Sequence, residues 1–254
     1  MDKALSGQMK SLWANYRIRP DRFSLLKYRL PNVLHNARKL IRHYPVYRPR
    51  AETSNGLVVK FIRANLMLGW LAHTYKHRIL LVIRHPAAVV ASRINMGTAD
   101  WDAETALSRY LQNKNIPHIM RNEFGVDIAK PMTPAAIFTC VWCIENLLPL
   151  RWAKQFGFPV TAYETLLAEP DAEWARLGQE LGLDRLPDQQ LLESPSQQVA
   201  RDMQGKKFGK SHLGKWRISL NEGQLRDIQG VLDDFGIQIY NTSEDMPIIT
   251  SNEQ

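Results

Sequence analysis

The chain has 254 residues with 44% hydrophobic and 23% charged side chains, proportions typical of a globular protein with one sizeable domain. It has only two cysteines, no secretory signal pattern at its start and no uncharged helical stretch long enough to span a bilayer. We therefore expect a cytoplasmic protein rather than a disulfide scaffold, a secreted protein or a membrane-spanning one.

The net charge of +8 is concentrated in the first fifth of the chain. Residues 1–50 hold twelve Lys or Arg and two acids, whereas the remaining 204 residues hold 21 bases and 23 acids. Residues 33–44 predict an amphipathic helix with Arg38, Lys39 and Arg42 on its polar face. A basic segment attracts anionic partners, although a solvated helical face and a transit peptide are also basic, so these interpretations stay open.

A run of five aliphatic residues at 79–83 predicts a strand buried on both faces. Upstream of this strand, residues 56–62 predict a short strand and residues 66–77 predict a helix. After Pro86 the apolar residues again fall at helical spacing. The later predictions are helix 101–112, a long loop or lid over 113–131, an apolar helix from Thr133 or Pro134 to Phe156 closed by Gly157, strand 158–164, helix 170–181 ended by Gly182, a polar loop over 194–217, and a last helix with a capping box of Ser219 and Glu222.

Strands that alternate with helices predict an α/β fold with a parallel sheet covered by helices on both faces. Ligands of such sheets bind at the carboxyl ends of the strands, where Arg84 and Tyr163 both fall. A cation at this edge, next to the start of a helix, indicates a ligand with negative charge. A structural ion pair at the end of the strand is the alternative for Arg84.

Three segments carry a more specific signal. Arg84 is followed by Pro86 and, eight residues after the arginine, by Ser92; this segment resembles the 3′-phosphate-binding segment of sulfotransferases that use 3′-phosphoadenosine 5′-phosphosulfate (PAPS). Residues 160–183 are similar to the family's Tyr-Glu-Asp-Leu strand end and the helix after it. Residues 209–220 are similar to its C-terminal nucleotide loop, ending in Gly-x-Trp. The resemblance covers roughly residues 55–240.

The resemblance implies a single domain over residues 1–254 with a helix-rich, three-layer parallel sheet of the P-loop nucleoside-triphosphate-hydrolase-like type. It also implies transfer of a sulfuryl group from PAPS to a hydroxyl or amine, without a metal. By position, Arg84 and Ser92 would hold the 3′-phosphate, Lys210 would cover it, and Tyr163 would lie beside the adenosine. A guanidinium suits this role because it offers phosphate a bidentate fork. Lys60 matches a strand lysine of the family and is a candidate for stabilising charge at the transfer site.

Three parts of the family pattern are missing from this sequence. No strand followed by a Ser-, Gly- and Thr-rich loop for the 5′-phosphosulfate precedes residue 50, so we expect a start that lies upstream or, as the alternative, a truncated relative. Ile62 stands where cytosolic members carry a histidine that serves as the base, which leaves the base unassigned. Gly209 likewise replaces an arginine of the nucleotide loop, so one phosphate contact is in doubt.

The acceptor and the function class have competing interpretations. The basic N-terminal segment predicts an anionic acceptor such as an acidic glycan. A relative that binds 3′,5′-ADP (PAP) or PAPS without catalysis is the first alternative. A nucleic-acid-binding module built on basic helices at 17–50 is the second, although the sequence has no nucleic-acid motif.

Three short patterns imitate other sites. Residues 205–211, GKKFGKS, have one residue too few between the glycines for a Walker A loop. Cys140 and Cys143 have redox spacing but fall within an apolar helix, which favours buried small side chains. His73 and His77 are four apart with no evident third metal ligand.

Overall fold

A computed structural model describes residues 60–61, 64–75, 78–96, 102–130, 132–183 and 212–248. The chain divides into two compact units, Met1–Ala64 and Asn65–Gln254. The predicted helix over 33–44 and the predicted phosphate ligand Lys210 lie outside the described residues. The prediction of one domain over the whole chain stays a prediction.

The described part of the second unit is mainly helical. After a 3-10 turn at Asn65–Met67, its elements are α1 (Leu68–Thr74), β1 (Leu81–Ile83), α2 (Pro86–Met96), α3 (Ala103–Leu111), α4 (Asn115–Phe124), α5 (Pro134–Phe156), β2 (Val160–Ala162), α6 (Tyr163–Ala168), α7 (Pro170–Leu181), α8 (Trp216–Ser219) and α9 (Glu222–Asp234). Of the strand predicted over 56–62, the two described residues, Lys60 and Phe61, lie outside any strand.

The sheet of the described residues has two parallel strands. Leu81 pairs with Val160, Val82 with Thr161 and Ile83 with Ala162. The predicted parallel pairing is thus confirmed, although each strand is shorter than its sequence pattern. The prediction of burial on both faces is wrong for β1, because Val82 is 51% exposed whereas its two neighbours are buried. Successive strand residues point to opposite faces, so one face of this sheet is open among the described residues.

The long helix α5 is the centre of the second unit. Helices α1, α2, α3 and α9 and strand β1 all pack on it. Its predicted bounds are confirmed, because the Thr133 side chain caps its start and Gly157 ends it at a φ of 69°. Cys140 and Cys143 are both buried in this helix, which confirms their interpretation as small core side chains. Neither α5 nor any other described helix has the length and apolarity to cross a membrane.

The packing of α1 on α5 leaves no room for a side chain at Gly69. A Cβ atom there would lie 2.6 Å from Cε2 of Trp152. We expect Gly69→Ala to lower the free energy of unfolding by about 1–3 kcal/mol, because the rigid indole has to move.

Gly230 in α9 provides the matched control, since a Cβ there meets nothing within 4 Å. Gly230→Ala should raise the free energy of unfolding by about 0.5–1 kcal/mol through helix propensity. Urea unfolding of both variants measures the two effects, and equal shifts of the same sign would contradict this account of the α1–α5 contact.

The predicted loop or lid over 113–131 contains a helix instead. In α4, Ile116 and Met120 are four residues apart and both buried, and Gly125 ends the helix in the left-handed conformation. The helix is only ten residues long and half of its residues are polar, so its apolar pattern is short. A short helix needs tertiary packing to form, and here α3 supplies a packing surface.

The last helix begins with a different capping box from the predicted one. The side chain of Asn221 accepts a hydrogen bond from the backbone N–H of Gln224, and the Gln224 side chain accepts one from the Asn221 N–H. Ser219 instead ends α8, and its hydroxyl donates to the Lys215 carbonyl. The predicted helix is confirmed, but the residues that cap it are not those predicted.

Candidate functional site

A cavity of about 460 Å³ lies at the carboxyl ends of the two strands. Residues that directly follow β1 and β2 line it, together with one face of α2, the loop before α8, and a residue of the C-terminal segment. These lining residues are Arg84, His85, Ala88, Ser92, Asn95, Met96, Tyr163, Glu164, His212, Leu213, Gly214, Lys215, Trp216 and Asp245. The cavity therefore draws on all three segments that carry the sequence resemblance.

The structure brings three of the five predicted site residues to this cavity. Arg84, Ser92 and Tyr163 line it, although Arg84 and Tyr163 are 79 positions apart in the sequence. Lys210 falls just before the described part of the loop. Lys60 is an exposed residue of the first unit, and its role stays a prediction.

Helix α2 presents one face to the cavity. Ala88, Ser92, Asn95 and Met96 line it, at spacings of four, three and one that belong to a single helical face. Ala88 has a small side chain, so the first turn of this helical face protrudes little into the cavity. The Ser92 hydroxyl and the Asn95 amide lie further along it on exposed residues, so both polar groups are accessible from the cavity.

The side chain of Arg84 lies over an aromatic ring. Its Cζ atom lies 5.1 Å from the ring centroid of Tyr163, within the range of a cation–π contact. The strand register explains this proximity, because Arg84 and Tyr163 each follow the last paired residue of their strand. Within the described ranges no carboxylate forms an ion pair with Arg84, so the alternative of a structural ion pair gains no support there.

The peptide group between Arg84 and His85 is hydrogen-bonded at both its carbonyl oxygen and its N–H. The carbonyl oxygen of Arg84 accepts a hydrogen bond from Nε1 of Trp142 at 2.9 Å. The N–H of the same peptide group, which belongs to His85, donates to Oε1 of Glu164 at 2.9 Å. The other carboxylate oxygen of Glu164 accepts from the hydroxyl of Tyr240, also at 2.9 Å. Because both ends of the peptide are engaged, the direction in which Arg84 leaves the strand is fixed.

His85 links the site to the C-terminal segment as a neutral side chain. Its Nδ1 accepts a hydrogen bond from the Ala87 N–H at 3.1 Å, so Nε2 carries the proton and donates to the carbonyl oxygens of Asn241 and Glu244. The ring is 1% exposed and stacks on Trp216 at 4.7 Å between centroids. Burial lowers the pKa of His85 to about 4, against weaker opposing contributions from the two carbonyls. Both of its nitrogens are occupied.

An ion pair connects α8 to the C-terminal segment. Nε of Arg217 lies 2.7 Å from Oδ1 of Asp245, and the same guanidinium donates to the carbonyls of Thr242 and Ser243. Gly214 has a φ of 74° and no room for a Cβ, which would lie 2.6 Å from Oδ2 of Asp245. The glycine of the Gly-x-Trp pattern is therefore favoured by its positive backbone angle, and a side chain there would also displace Asp245.

The electrostatic character of the cavity follows from these contacts. Its two carboxylates are already engaged, Glu164 with a backbone N–H and a phenol and Asp245 with a guanidinium. Arg84 and Lys215 are exposed lining residues that carry positive charge. A cavity with this distribution of charge favours an anionic group near Arg84 and the Ser92 hydroxyl.

Sequence reasoning missed several residues that build the site. Glu164 lies in a recognised segment but had no assigned role, and His85 occupies the unspecified position of the Arg-x-Pro pattern. Trp142 lies in an apolar helix and has no sequence signal for its contact with Arg84. Tyr240 and Asp245 lie at or beyond the end of the resemblance, so only their three-dimensional contacts identify them.

No protein-family model, no curated protein and no solved structure matches this chain in the comparisons made. The resemblance to sulfotransferases therefore rests on the sequence segments alone.

Proposed function

We propose that this chain is a PAPS-dependent sulfotransferase whose described cavity binds the 3′-phosphoadenosine part of the donor. The observation that supports the proposal is the convergence of Arg84, Ser92, Tyr163 and the Gly214–Trp216 loop on one cavity. Their meeting at one end of the parallel strands is where such a fold binds its ligand.

In the proposed complex each residue has a role suited to its chemistry. Arg84 offers two N–H groups to the 3′-phosphate, and the Ser92 hydroxyl donates a further hydrogen bond from the next helix. Tyr163 lies next to Arg84, and Lys210 would close over the phosphate from the loop before α8. Lys60 remains the candidate for stabilising charge on the transferred group.

The proposed reaction moves one sulfuryl group and one proton. The bond between the sulfur and the bridging phosphate oxygen of PAPS breaks, a bond forms between sulfur and the acceptor oxygen or nitrogen, and PAP leaves with the electron pair. A base takes the proton of the acceptor. As in phosphoryl transfer, the protein contributes mainly position and charge stabilisation.

Calorimetric titration of PAP into the full chain tests the nucleotide site. We expect wild-type protein to bind PAP and Arg84→Ala to bind it roughly 10- to 150-fold more weakly, because hydrogen bonds to charged groups contribute about 1.5–3 kcal/mol. Arg109→Ala is the matched control, since Arg109 is an exposed arginine of α3 that does not line the cavity.

Circular dichroism of each variant checks that the fold is retained in this titration. Unchanged affinity in Arg84→Ala, or no PAP binding by folded wild-type protein, would overturn the proposed site.

Binding of PAP without catalysis is the second candidate function. It is favoured by one observation: Glu164 and His85, which line the cavity, already have their polar side-chain atoms engaged within the protein, and Asp245 is paired with Arg217. Incubation with sulfur-35-labelled PAPS and a panel of hydroxyl and amine acceptors separates the two candidates. Labelled product supports transfer, whereas PAP binding without product for any acceptor supports the non-catalytic alternative.

An acidic glycan is the acceptor we propose from the basic N-terminal segment. In the same assay, transfer to acidic glycans should exceed transfer to neutral phenols and fall as salt rises, because salt screens attraction between exposed charges. Equal rates for both acceptors, independent of salt, would exclude this acceptor class.

A further inference from the structure

The contact between Arg84 and Tyr163 suggests a role for the tyrosine that the sequence resemblance does not supply. The resemblance places this tyrosine beside the adenosine. In the structure its ring faces the guanidinium of Arg84, with 5.1 Å between Cζ and the ring centroid. Tyr163 is half-buried, so its ring is held by the protein while the guanidinium above it remains accessible.

The residues around this pair restrict the backbone at Arg84 but not the rotamers of its side chain. Trp142 and Glu164 hold the peptide group that follows Arg84, each through a hydrogen bond of 2.9 Å. Tyr240 holds the carboxylate of Glu164 in turn. The backbone is thus fixed, and a long arginine side chain would still sample many rotamers on a fixed backbone.

The ring of Tyr163 is the group that restricts those rotamers. A planar guanidinium stacks favourably on an aromatic face while its N–H groups, in the plane, stay available to an anion. Ordering Arg84 before the ligand arrives removes part of the entropy cost of binding. Neighbouring positions in the strand register ensure that the ring is directly beside the arginine.

We propose that Tyr163 is a positioning residue that orients the guanidinium of Arg84 for the phosphate, and that it acts on the nucleotide through Arg84. This inference rests on the proposed nucleotide site. It differs from a direct role at the adenosine in a measurable way, because residues that act through one another have non-additive effects on binding.

A double-mutant cycle on PAP affinity tests the inference. Tyr163→Leu should weaken PAP binding about tenfold in the wild-type background, in line with the upper range for a cation–π contact, and by less than about twofold in the Arg84→Ala background. Tyr163→Phe keeps the ring and should bind within about twofold of wild type. Equal effects of Tyr163→Leu in both backgrounds, or a loss in Tyr163→Phe as large as in Tyr163→Leu, would overturn it.

A second measurement needs no nucleotide and separates the positioning role of Tyr163 from the assignment of PAP as the ligand. The heteronuclear ¹⁵N relaxation of the Arg84 Nε–H group in the free protein reports the order of the guanidinium on the picosecond to nanosecond timescale. Tyr163→Leu should lower this order and Tyr163→Phe should leave it unchanged. If PAP does not bind but this result holds, only the ligand assignment is wrong. If the order of the Arg84 Nε–H group is unchanged in Tyr163→Leu, the positioning role is wrong.

Discussion

Cys140 and Cys143 should react with a disulfide reagent at pH 8 at least roughly a thousandfold more slowly in the folded protein than in the denatured chain. Burial raises the pKa of the Cys140 thiol from 9.0 to about 12, and it raises that of Cys143 well above its ordinary value. Only the thiolate attacks a disulfide. A shift of about three pH units therefore lowers the reactive fraction about a thousandfold, before any loss of access is counted.

Stopped-flow reaction with Ellman's reagent measures this difference. The same chain in concentrated guanidinium chloride serves as the control, in which both thiols should react at rates typical of exposed cysteines. Any slow reaction of the native protein should accelerate with urea, because it passes through unfolding. A native rate within about tenfold of the denatured rate would contradict the burial of these thiols and would reopen a redox role for the Cys-x-x-Cys pattern.

The second large effect concerns His85 and the pH dependence of stability. The pKa of His85 is lowered from 6.5 to about 4, chiefly by burial. The unfolded chain therefore binds a proton at higher pH than the folded chain, and acid favours unfolding. The contribution of neutral His85 is complete above about pH 6.5 and is lost as the pH falls toward 4, with a total of about 3 kcal/mol.

Urea unfolding at several pH values between 4.5 and 7 measures this slope. His85→Gln removes the titrating ring, so its unfolding free energy should be lower at pH 7 but should change much less with pH. His118→Gln is the matched control, because His118 is an exposed histidine of α4. Parallel slopes in wild type and His85→Gln would show that other groups cause the acid sensitivity.

The two predictions describe different parts of one core. The cysteines lie in α5 on the same helix as Trp142, which holds the Arg84 carbonyl. His85 connects the end of β1 to the C-terminal segment through Asn241 and Glu244. The cavity thus depends on α5 from one side and on the C-terminal segment from another, so unfolding of either should disturb Arg84.

Much of the helical structure could be predicted because its signals are local. Helix α5 has an N-cap, a proline in its first turn and a C-terminal glycine, and helix α7 ends at Gly182 as predicted. Each of these signals acts within a few residues of the element that it ends. Helix α4 was missed because burial of Ile116 and Met120 stabilises it, and burial depends on distant parts of the chain.

The residues of the site likewise fall into those that the sequence could identify and those that it could not. Arg84, Ser92 and Tyr163 could be singled out because each is part of a sequence pattern with a chemical meaning. The residues that hold the Arg84 peptide group could not, since Trp142 and Glu164 act through contacts that join segments far apart in the sequence. A hydrogen bond between residues 58 or 79 positions apart leaves no periodicity or spacing for sequence reasoning to detect.

By itself, the sequence determined both ends of α5, the C-terminal end of α7, the parallel β-α pattern and the residue types that suit a phosphate, since these depend on short-range backbone chemistry and on side-chain identity. The tertiary structure alone decided that these residues meet at one cavity, that the Arg84 guanidinium lies over the ring of Tyr163, and that Asp245 of the C-terminal segment lines the site. It did so because packing on α5 and the register of β1 against β2 set distances between residues that no local signal links.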